Sequence, residues 1–428
     1  MRIELITVGD ELLLGFTIDT NGAHLARELG AVGVEIVRRT TVGDRADDIV
    51  AAVREAMART GAVITTGGLG PTSDDLTKPA IATLFGRAMR FDPAIYAGLE
   101  QRWAARPQWG PMPAANRQQA FVPEGAVILD NRHGSAPGIW LEDETGRWVA
   151  MLPGVPREMR GMLADQILPR LAGIVAAATG GGDLVVRSRT LRTVGIGESA
   201  LADHLGDRAT GVAGLPLAYL PGANGVDLRL TARGVAPAEA DRLLADGIEQ
   251  LRERIGRYAY GEGADDLAAI VLAVCRQRRL RIAVGESCTG GLLATRLTAV
   301  PGSSDVFLGG VVAYDNTVKE SLLDVSADDI RVHGAVSDVV ARSMALGARS
   351  RTGAEIGVGI TGVAGPGGGT PDKPVGTVWI AVAGPDLSSS AVRTHRSMLV
   401  GDRGEIRQRA AQVALDLVRR ALDTASGA

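Results

Sequence analysis

The chain reads as an α/β protein built on mainly parallel sheets, and three observations predict this. Short apolar runs alternate with segments of helical period, the pattern of strand–helix–strand units. The runs end in turns rich in glycine or acid, which places functional groups at the carboxyl edge of a sheet. Hydrophobic residues make up 46% of the chain but aromatics only 4%, so Ala, Val, Leu and Gly fill the cores.

A length of 428 residues predicts two or three domains. The net charge of −3 and a pI near 6.0 argue against a strongly basic nucleic-acid surface. Two cysteines, Cys275 and Cys288, form neither a disulfide framework nor a zinc pattern. The first residues, MRIELITVGDELLLG, carry an acid at position 4 and lack a leader's charged start and cleavage site. No apolar run reaches spanning length. A cytoplasmic protein with no membrane partner is expected.

The first strand runs from Ile3 to Val8 and delivers Asp10 and Glu11 at its end. A helix follows, capped from Asp19-Thr20-Asn21. Val34–Thr41 is the second strand, Ala46–Arg59 a helix and Ala62–Thr66 the third strand. That strand runs into Gly67-Gly68-Leu69-Gly70-Pro71-Thr72-Ser73-Asp74-Asp75, with a helix after Lys78. The spacing matches neither a phosphate-binding P-loop nor a dinucleotide fingerprint. It still offers unobstructed backbone N–H groups and a helix start suited to an anion. Asp74 and Asp75 suit a divalent cation that bridges to phosphate. A third turn, Leu152-Pro153-Gly154-Val155-Pro156, completes the set. The ligand contacts expected from these turns are Asn21, Gly67, Gly68, Gly70, Thr72 and Gly154, with Glu11, Asp74 and Asp75 toward a metal. Trp103, Trp109 and the segment Arg106–Pro113 read as a surface excursion without chemistry.

A helix from Arg157 to Leu171 is expected to close this domain, and Ala172–Asp183 reads as a linker. Strand Leu184–Thr193, helix Glu198–Leu205, strands Leu215–Leu220 and Gly225–Ala232, and helix Pro237–Gly256 form a small α+β module. RNA-binding KH modules share these elements, but Gly195-Ile196-Gly197-Glu198 is not a basic backbone-clamping loop. A spacer or dimerisation role is expected, with no nucleic-acid partner. Tyr258–Gly263 reads as a second linker.

The C-terminal part opens with helix Asp265–Arg278 and strand Leu280–Val284. Next come Ser287-Cys288-Thr289-Gly290-Gly291, Pro301-Gly302-Ser303-Ser304, a β-branched run to Tyr314, and Lys319. Helix Ala335–Arg349, strands Ile356–Ile360, Val375–Val382 and Ala391–Met398, and a final helix with Arg403 and Arg407 in its first turns complete it. The turns Thr289-Gly290-Gly291 and Gly362–Gly369 suit a phosphate-bearing ligand.

Of 46 basic residues only Lys78, Lys319 and Lys373 are lysines. A lysine can lose its proton and act as a base, whereas arginine cannot. Lys319 follows an apolar run, Val306–Val312, that would desolvate it. The histidines, at 24, 133, 204, 333 and 395, form no local metal pair, and no G-x-S-x-G elbow is present. The residues leave the nucleophile open between a hydroxyl and Cys288, since a thiol at a helix start has a lowered pKa.

These motifs resemble a known family over nearly the whole chain. Glu286–Gly291, Pro301–Ser304, Tyr314-Asp315-Asn316 with Lys319, His333–Ser337, Thr361–Gly369 and Lys373–Thr377 resemble the CinA C-terminal, nicotinamide-nucleotide amidase family. Gly9–Gly15, Asp19–Asn21, Thr66–Thr77 and Leu152–Pro156 with Glu158-Met159 resemble its three-layer, molybdopterin-binding-like partner domain. The resemblance implies a molybdopterin-binding-like domain over 1–172, a KH-like module over 173–258 and an amidase domain over 259–428. It implies pyridine nucleotides and ADP-ribose as small-molecule partners, and a homodimer. The C-terminal domain would deamidate nicotinamide mononucleotide without a cofactor. Ser304 would be the nucleophile, Lys319 the base and Tyr314 an assistant, while Ser287 and Thr361 hold the amide. Arg403 and Arg407 are positioned by charge for the phosphate. The N-terminal domain would be a metal-dependent ADP-ribose pyrophosphatase. Gly285 and Asp315 depart from the residues frequent in the family, alanine and serine.

Overall fold

A computed structural model describes residues 1–178, 184–222, 224–384 and 392–424. The chain divides into two compact units, 1–187 with 232–243, and 188–231 with 244–428.

In the first unit a six-stranded sheet has the order β2-β1-β3-β8-β7-β6. Its strands are β1 (Arg2–Val8), β2 (Glu35–Val42), β3 (Ala62–Thr66), β6 (Val127–Leu129), β7 (Gly138–Glu142) and β8 (Trp148–Leu152). A two-stranded ribbon of β4 (Met89–Phe91) and β5 (Phe121–Pro123) lies outside it. The strands β2, β1, β3 and β8 run parallel, and β7 and β6 follow antiparallel. β1 is buried at every position after Arg2, because both faces of the sheet are covered. Ile3 and Leu5 pack with helices α2 (Thr20–Ala31), α6 (Pro156–Met162) and α7 (Leu168–Ala178). Ile6 and Val8 pack with α3 (Ala46–Thr60) and α4 (Thr77–Leu84) on the other face. The result is three layers, as expected.

Three expectations here need correction. The helix expected to end at Leu171 continues as α7 to Ala178, after a π-turn over 163–167. Leu168 packs on the core and Leu171 and Val175 are buried in it, a helical repeat that holds the Ala/Gly-rich segment in register. Residues 179–183 of the expected linker lie outside the described residues. The tryptophan excursion is partly helical: α5 (Pro93–Ala104) carries Trp103, whose ring meets Trp109 edge-on at 5.1 Å. The first carboxylates also sit on a short helix, α1 (Asp10–Leu13), rather than on an extended strand end.

The middle module is a five-stranded sheet of order β10-β11-β12-β9-β13. Its strands are β9 (Val185–Thr193), β10 (Gly211–Val212), β11 (Leu215–Gly222), β12 (Gly225–Val235) and β13 (Ala259–Glu262), with helices α8 (Glu198–Leu205) and α9 (Pro237–Ile255). The segment read as a second linker is therefore β13, an edge strand antiparallel to β9.

The C-terminal sheet has the order β15-β14-β16-β17-β18. β14 (Ile282–Glu286) lies between parallel β15 (Phe307–Val312) and β16 (Ile356–Gly362). β17 (Thr377–Ala383) and β18 (Arg393–Met398) are antiparallel additions. Helices α10 (Leu267–Gln277), α11 (Leu292–Thr298) and α15 (Arg403–Thr424) cover one face. Helices α12 (Asn316–Leu323) and α14 (Asp338–Thr352) cover the other. Helices α12 and α13 (Ala327–His333) were not expected, although Asp315 and Ser326 cap them through their side chains. Residue 391, placed at the start of the last strand, lies outside the described residues.

Candidate functional sites

In the first unit the three predicted turns meet at the carboxyl edge of β1, β3 and β8. The strand order reverses at β1 and β3, the position where open α/β sheets form a crevice. Gly67 N–H donates to the Leu152 carbonyl at 3.1 Å, joining two of the turns. Gly67 has φ +109°, and a Cβ there would sit 2.1 Å from the Val8 carbonyl oxygen. Only glycine lets the chain turn this close to β1. Thr77 Oγ1 donates to the Gly67 carbonyl at 2.9 Å and so ties the start of α4 to the turn. Asn21 Nδ2 donates to the Gly154 carbonyl at 2.7 Å and to Thr66 Oγ1 at 3.3 Å. Asn21, Gly67, Gly68, Gly70 and Gly154 therefore line one cavity of about 470 Å³, as expected. Asn21 Oδ1 and Gln119 Oε1 are buried there without a protein partner. Two such atoms in one cavity are acceptors held ready for a ligand.

The metal residues behave differently from one another. Asp75 accepts from Gly70 N at 2.7 Å, Thr72 N at 2.8 Å and Thr72 Oγ1 at 2.5 Å. It closes the glycine loop on itself, and Thr72 is engaged in the same closure. Asp74 and Glu11 remain on the cavity wall. Among the described residues no three carboxylate, imidazole or thiol groups converge on one ion position, so Glu11, Asp74 and Asp75 do not form a ready cage. A further acid does face them. Asp44 N–H donates to Asp10 Oδ1 at 3.2 Å and Asp10 N–H donates to Asp44 Oδ2 at 2.9 Å. Burial pushes the Asp44 carboxyl up, and Asp10, Glu11 and Asp74 add to the effect. This crowd of carboxylates fits a hard cation that takes one or two protein oxygens and completes its shell with water and phosphate.

Sequence reasoning did not single out Asp44, Gln119 or Ser135 for this cavity, and it named Glu158 only within the motif that carries the family resemblance. Asp44 follows a strand end, the one signal that would have found it. Gln119 and Ser135 carry no local signal. Lys78, the second scarce lysine, is 2% exposed. Its Nζ donates to the carbonyls of Gln118 at 3.1 Å and Gln119 at 3.2 Å, bracing the segment that brings Gln119 to the wall. Burial lowers its pKa to about 8.

At the carboxyl edge of the C-terminal sheet, the ends of β14, β15 and β16 gather a second group. Lys319 is 2% exposed. Its Nζ donates to the Tyr314 carbonyl at 3.2 Å, the Asp315 carbonyl at 3.5 Å and Asn316 Oδ1 at 3.3 Å. All three acceptors are neutral, and burial lowers the lysine's pKa against the weaker pull of the Asp315 charge. Tyr314 is exposed, and its hydroxyl accepts from Arg403 Nη2 at 2.7 Å. Arg403 Nη1 also donates to the Gly365 carbonyl at 2.6 Å, joining Tyr314 to the Gly362–Gly369 turn. Arg407 donates twice to the Thr289 carbonyl, at 3.2 and 2.8 Å. It braces the Thr289-Gly290-Gly291 turn rather than standing free for a phosphate. Thr361 is likewise engaged, donating to the Ala335 carbonyl at 2.7 Å. Ser287 N–H donates to the Ile360 carbonyl at 2.9 Å, locking β14's end to β16's. Thr289 Oγ1 is buried with no protein partner. Glu286 is fully buried and accepts from Leu293 N at 3.0 Å and Ala294 N at 2.8 Å, so it caps α11.

Two features of this edge bear on the nucleophile left open by the residues. Cys288 is not an activated thiol: burial pushes its pKa up to about 12 despite Arg403 and Arg407 nearby. Nor does one chain bring Ser304 to Lys319. Ser304 sits in the turn before β15, where Arg276 Nη2 donates to the Gly302 carbonyl at 2.8 Å and Ile282 N–H to the Val306 carbonyl at 2.9 Å. Tyr314 and Lys319 follow the other end of that strand.

Comparison with known proteins covers the same three regions. Residues 4–173 match a profile described as a probable molybdopterin binding domain. Residues 188–261 match the damage-inducible protein CinA KH domain, and residues 264–422 the CinA C-terminal domain. The chain is 62% identical over 428 residues to a CinA-like protein of Gemmatimonas aurantiaca, covering 100% of this chain and 98% of that one. It is 42% identical over 434 residues to a CinA-like protein of Nostoc, covering 99% and 100%. A crystal structure of competence/damage inducible protein CihA from Agrobacterium tumefaciens shares 38% identity at a TM-score of 0.35, over 37% of this chain and 93% of that one. Among the described residues no helix is long and apolar enough to cross a membrane.

Proposed function

Because the chain belongs to the CinA family, with a molybdopterin-binding-like domain, a KH-like module and the family's C-terminal domain, we propose that it is a two-site hydrolase of pyridine-nucleotide salvage. The C-terminal site deamidates nicotinamide mononucleotide to the nicotinic acid nucleotide and ammonia. The observation that carries this reading is Lys319, a buried lysine held only by neutral oxygens, with its pKa lowered by burial. A lysine whose charged form burial disfavours is suited to take a proton from a hydroxyl. By family resemblance that hydroxyl belongs to Ser304. Its oxygen attacks the amide carbon, its proton passes to Lys319, and the amide nitrogen leaves as ammonia after protonation. Water then cleaves the acyl-enzyme. Tyr314, oriented by Arg403, assists the proton transfers, and the donors near Ser287 and Thr289 face the amide and the nucleotide.

The N-terminal site splits the diphosphate of ADP-ribose to AMP and ribose 5-phosphate. A divalent cation bound through Glu11 and Asp74 would neutralise the diphosphate and activate water. The chain's own part is to hold the substrate: the Gly67–Gly70 backbone takes the phosphates, and Asn21 and Gln119 offer acceptors to donor groups on it. A second reading, binding without turnover, is favoured by one observation: Asp75 is spent within its loop. Ammonia and AMP release from the two substrates test these readings. The wild type should release both, AMP only with added divalent cation. Ser304→Ala and Lys319→Arg should each lower ammonia release at least 100-fold. A wild type that releases AMP neither with magnesium nor with manganese leaves the binding reading in place.

A further inference from the structure

The separation of Ser304 from Lys319 is set by the fold. β15 has six residues, and at about 3.3 Å each its two ends lie roughly 17 Å apart. Ser304 precedes the strand and Tyr314 follows it, so the strand's length stands between nucleophile and base. The turn at Ser304 is fastened at that distance: Arg276 holds Gly302, and Val306 pairs with the start of β14.

The same strand is the edge of its sheet. One side pairs with β14, and among the described residues the other pairs with no strand. It lacks charge and proline within Phe307–Val312, and its one irregularity is the register shift against β14 between Phe307 and Gly309. Leu308 and Val312 are 38% and 51% exposed. A bare apolar edge of this kind is a template for another strand.

The geometry points to a second copy of this chain as the occupant, with β15 pairing antiparallel to its mate about a two-fold axis at Gly309. In that register residues equally far from position 309 on either side face one another. The turn that carries Ser304 in one copy is then brought to the strand end that leads to Tyr314 in the other, beside Lys319, whose Nζ donates to the Tyr314 carbonyl. Each C-terminal site would take its nucleophile from one copy and its base from the other, and two such sites would form per dimer. An isologous interface requires this reciprocity. Gly309 and Gly310 at the centre leave the paired backbones unobstructed by side chains. The proposal rests on the amidase reading for its chemistry and on the unpaired edge for its geometry.

Co-expression of Ser304→Ala and Lys319→Ala chains with different tags, followed by tandem purification, isolates the mixed dimer. Each parent should be inactive. In the mixed dimer one site has lost both residues and the other has kept both, so ammonia release should return to about half of the wild-type rate. A mixed dimer as inactive as its parents, beside an active wild type, overturns the shared site. Amide hydrogen exchange of the full-length protein tests the edge without relying on activity. Amides throughout Phe307–Val312 should be protected, and Val312→Asp should release every second one. Free exchange of every second amide in the wild type overturns the pairing. If the wild type releases no ammonia but these amides are protected, the amidase reading fails and the interface stands.

Discussion

Cys288 follows β14 and Lys319 follows β15 at one edge of the C-terminal sheet, and burial acts on them in opposite senses. It disfavours the lysine's charged form and keeps the thiol protonated, which suits the one to accept a proton and disarms the other as a nucleophile. Cys288→Ala should therefore retain ammonia release within about three-fold, and thiol-directed reagents should act slowly on the native enzyme; rapid loss of activity on alkylation would return the thiol to the mechanism. The base must be neutral to act, so the rate should rise with pH through an inflection below the ordinary lysine range. Lys78 permits a related test on stability. Its folded pKa of about 8 lies below the unfolded value, so the unfolded chain binds more protons above that pH. The cost of burying Lys78 is thus fully present below about pH 8 and is relieved as pH rises toward about 10. Relative to Lys78→Met, the wild type should gain on the order of 2 kcal/mol between pH 7 and pH 10 in the unfolding of the first unit. A difference independent of pH would show that the lysine stays charged in the fold.

At the level of elements, the sequence was most legible where one short segment carries its own signal. Ala62–Thr66 and Glu198–Leu205 have the boundaries expected of them, and the side chain of Asp19 caps α2. It was least legible where the decisive partner is far away. β13 is four residues long and becomes a strand only through β9, about seventy positions earlier, so it reads locally as a linker. α7 was misread because its Ala/Gly composition outweighed a visible spacing of Leu168, Leu171 and Val175. The site followed the same division. The glycine turns and Lys319 announced themselves, whereas Gln119 reaches its cavity through a brace from Lys78. Ser304 and Lys319 stand beyond opposite ends of β15, and the extended strand between them keeps them apart. Gly67 tests how tightly the elements of the first unit meet. Gly67→Ala would press a methyl group onto the Val8 carbonyl at a backbone angle that alanine rarely adopts. It should cost about 2–4 kcal/mol of stability and lower AMP release from ADP-ribose by more than ten-fold. Unchanged melting and turnover would mean the β1 and β3 ends are looser than the 2.1 Å approach implies.

For the whole molecule, the two sites draw on different chemistry, and this separates them in one preparation. The N-terminal cavity collects carboxylates, Glu11, Asp44 and Asp74 among them, around backbone N–H groups that suit phosphate. Negative charge facing a negative substrate is unfavourable without a cation between them, so the proposed turnover there would require a metal. The C-terminal edge instead gathers lysine, tyrosine, small hydroxyls and Arg403, groups that on the proposed reading meet an anionic nucleotide and move a proton without a metal. The two substrates share phosphate groups but meet opposite local charge. Chelation should therefore abolish AMP release from ADP-ribose and leave ammonia release from nicotinamide mononucleotide within two-fold, while Lys319→Arg should do the reverse. Asp74→Asn should behave as chelation does, and added magnesium or manganese should not rescue it fully, because one of the cation's oxygens is lost. The measurement is both product assays on the same wild-type and variant preparations, with and without chelator. Loss of ammonia release on chelation would mean that the C-terminal chemistry also needs a cation, and that Lys319 is not its sole means of activating the nucleophile.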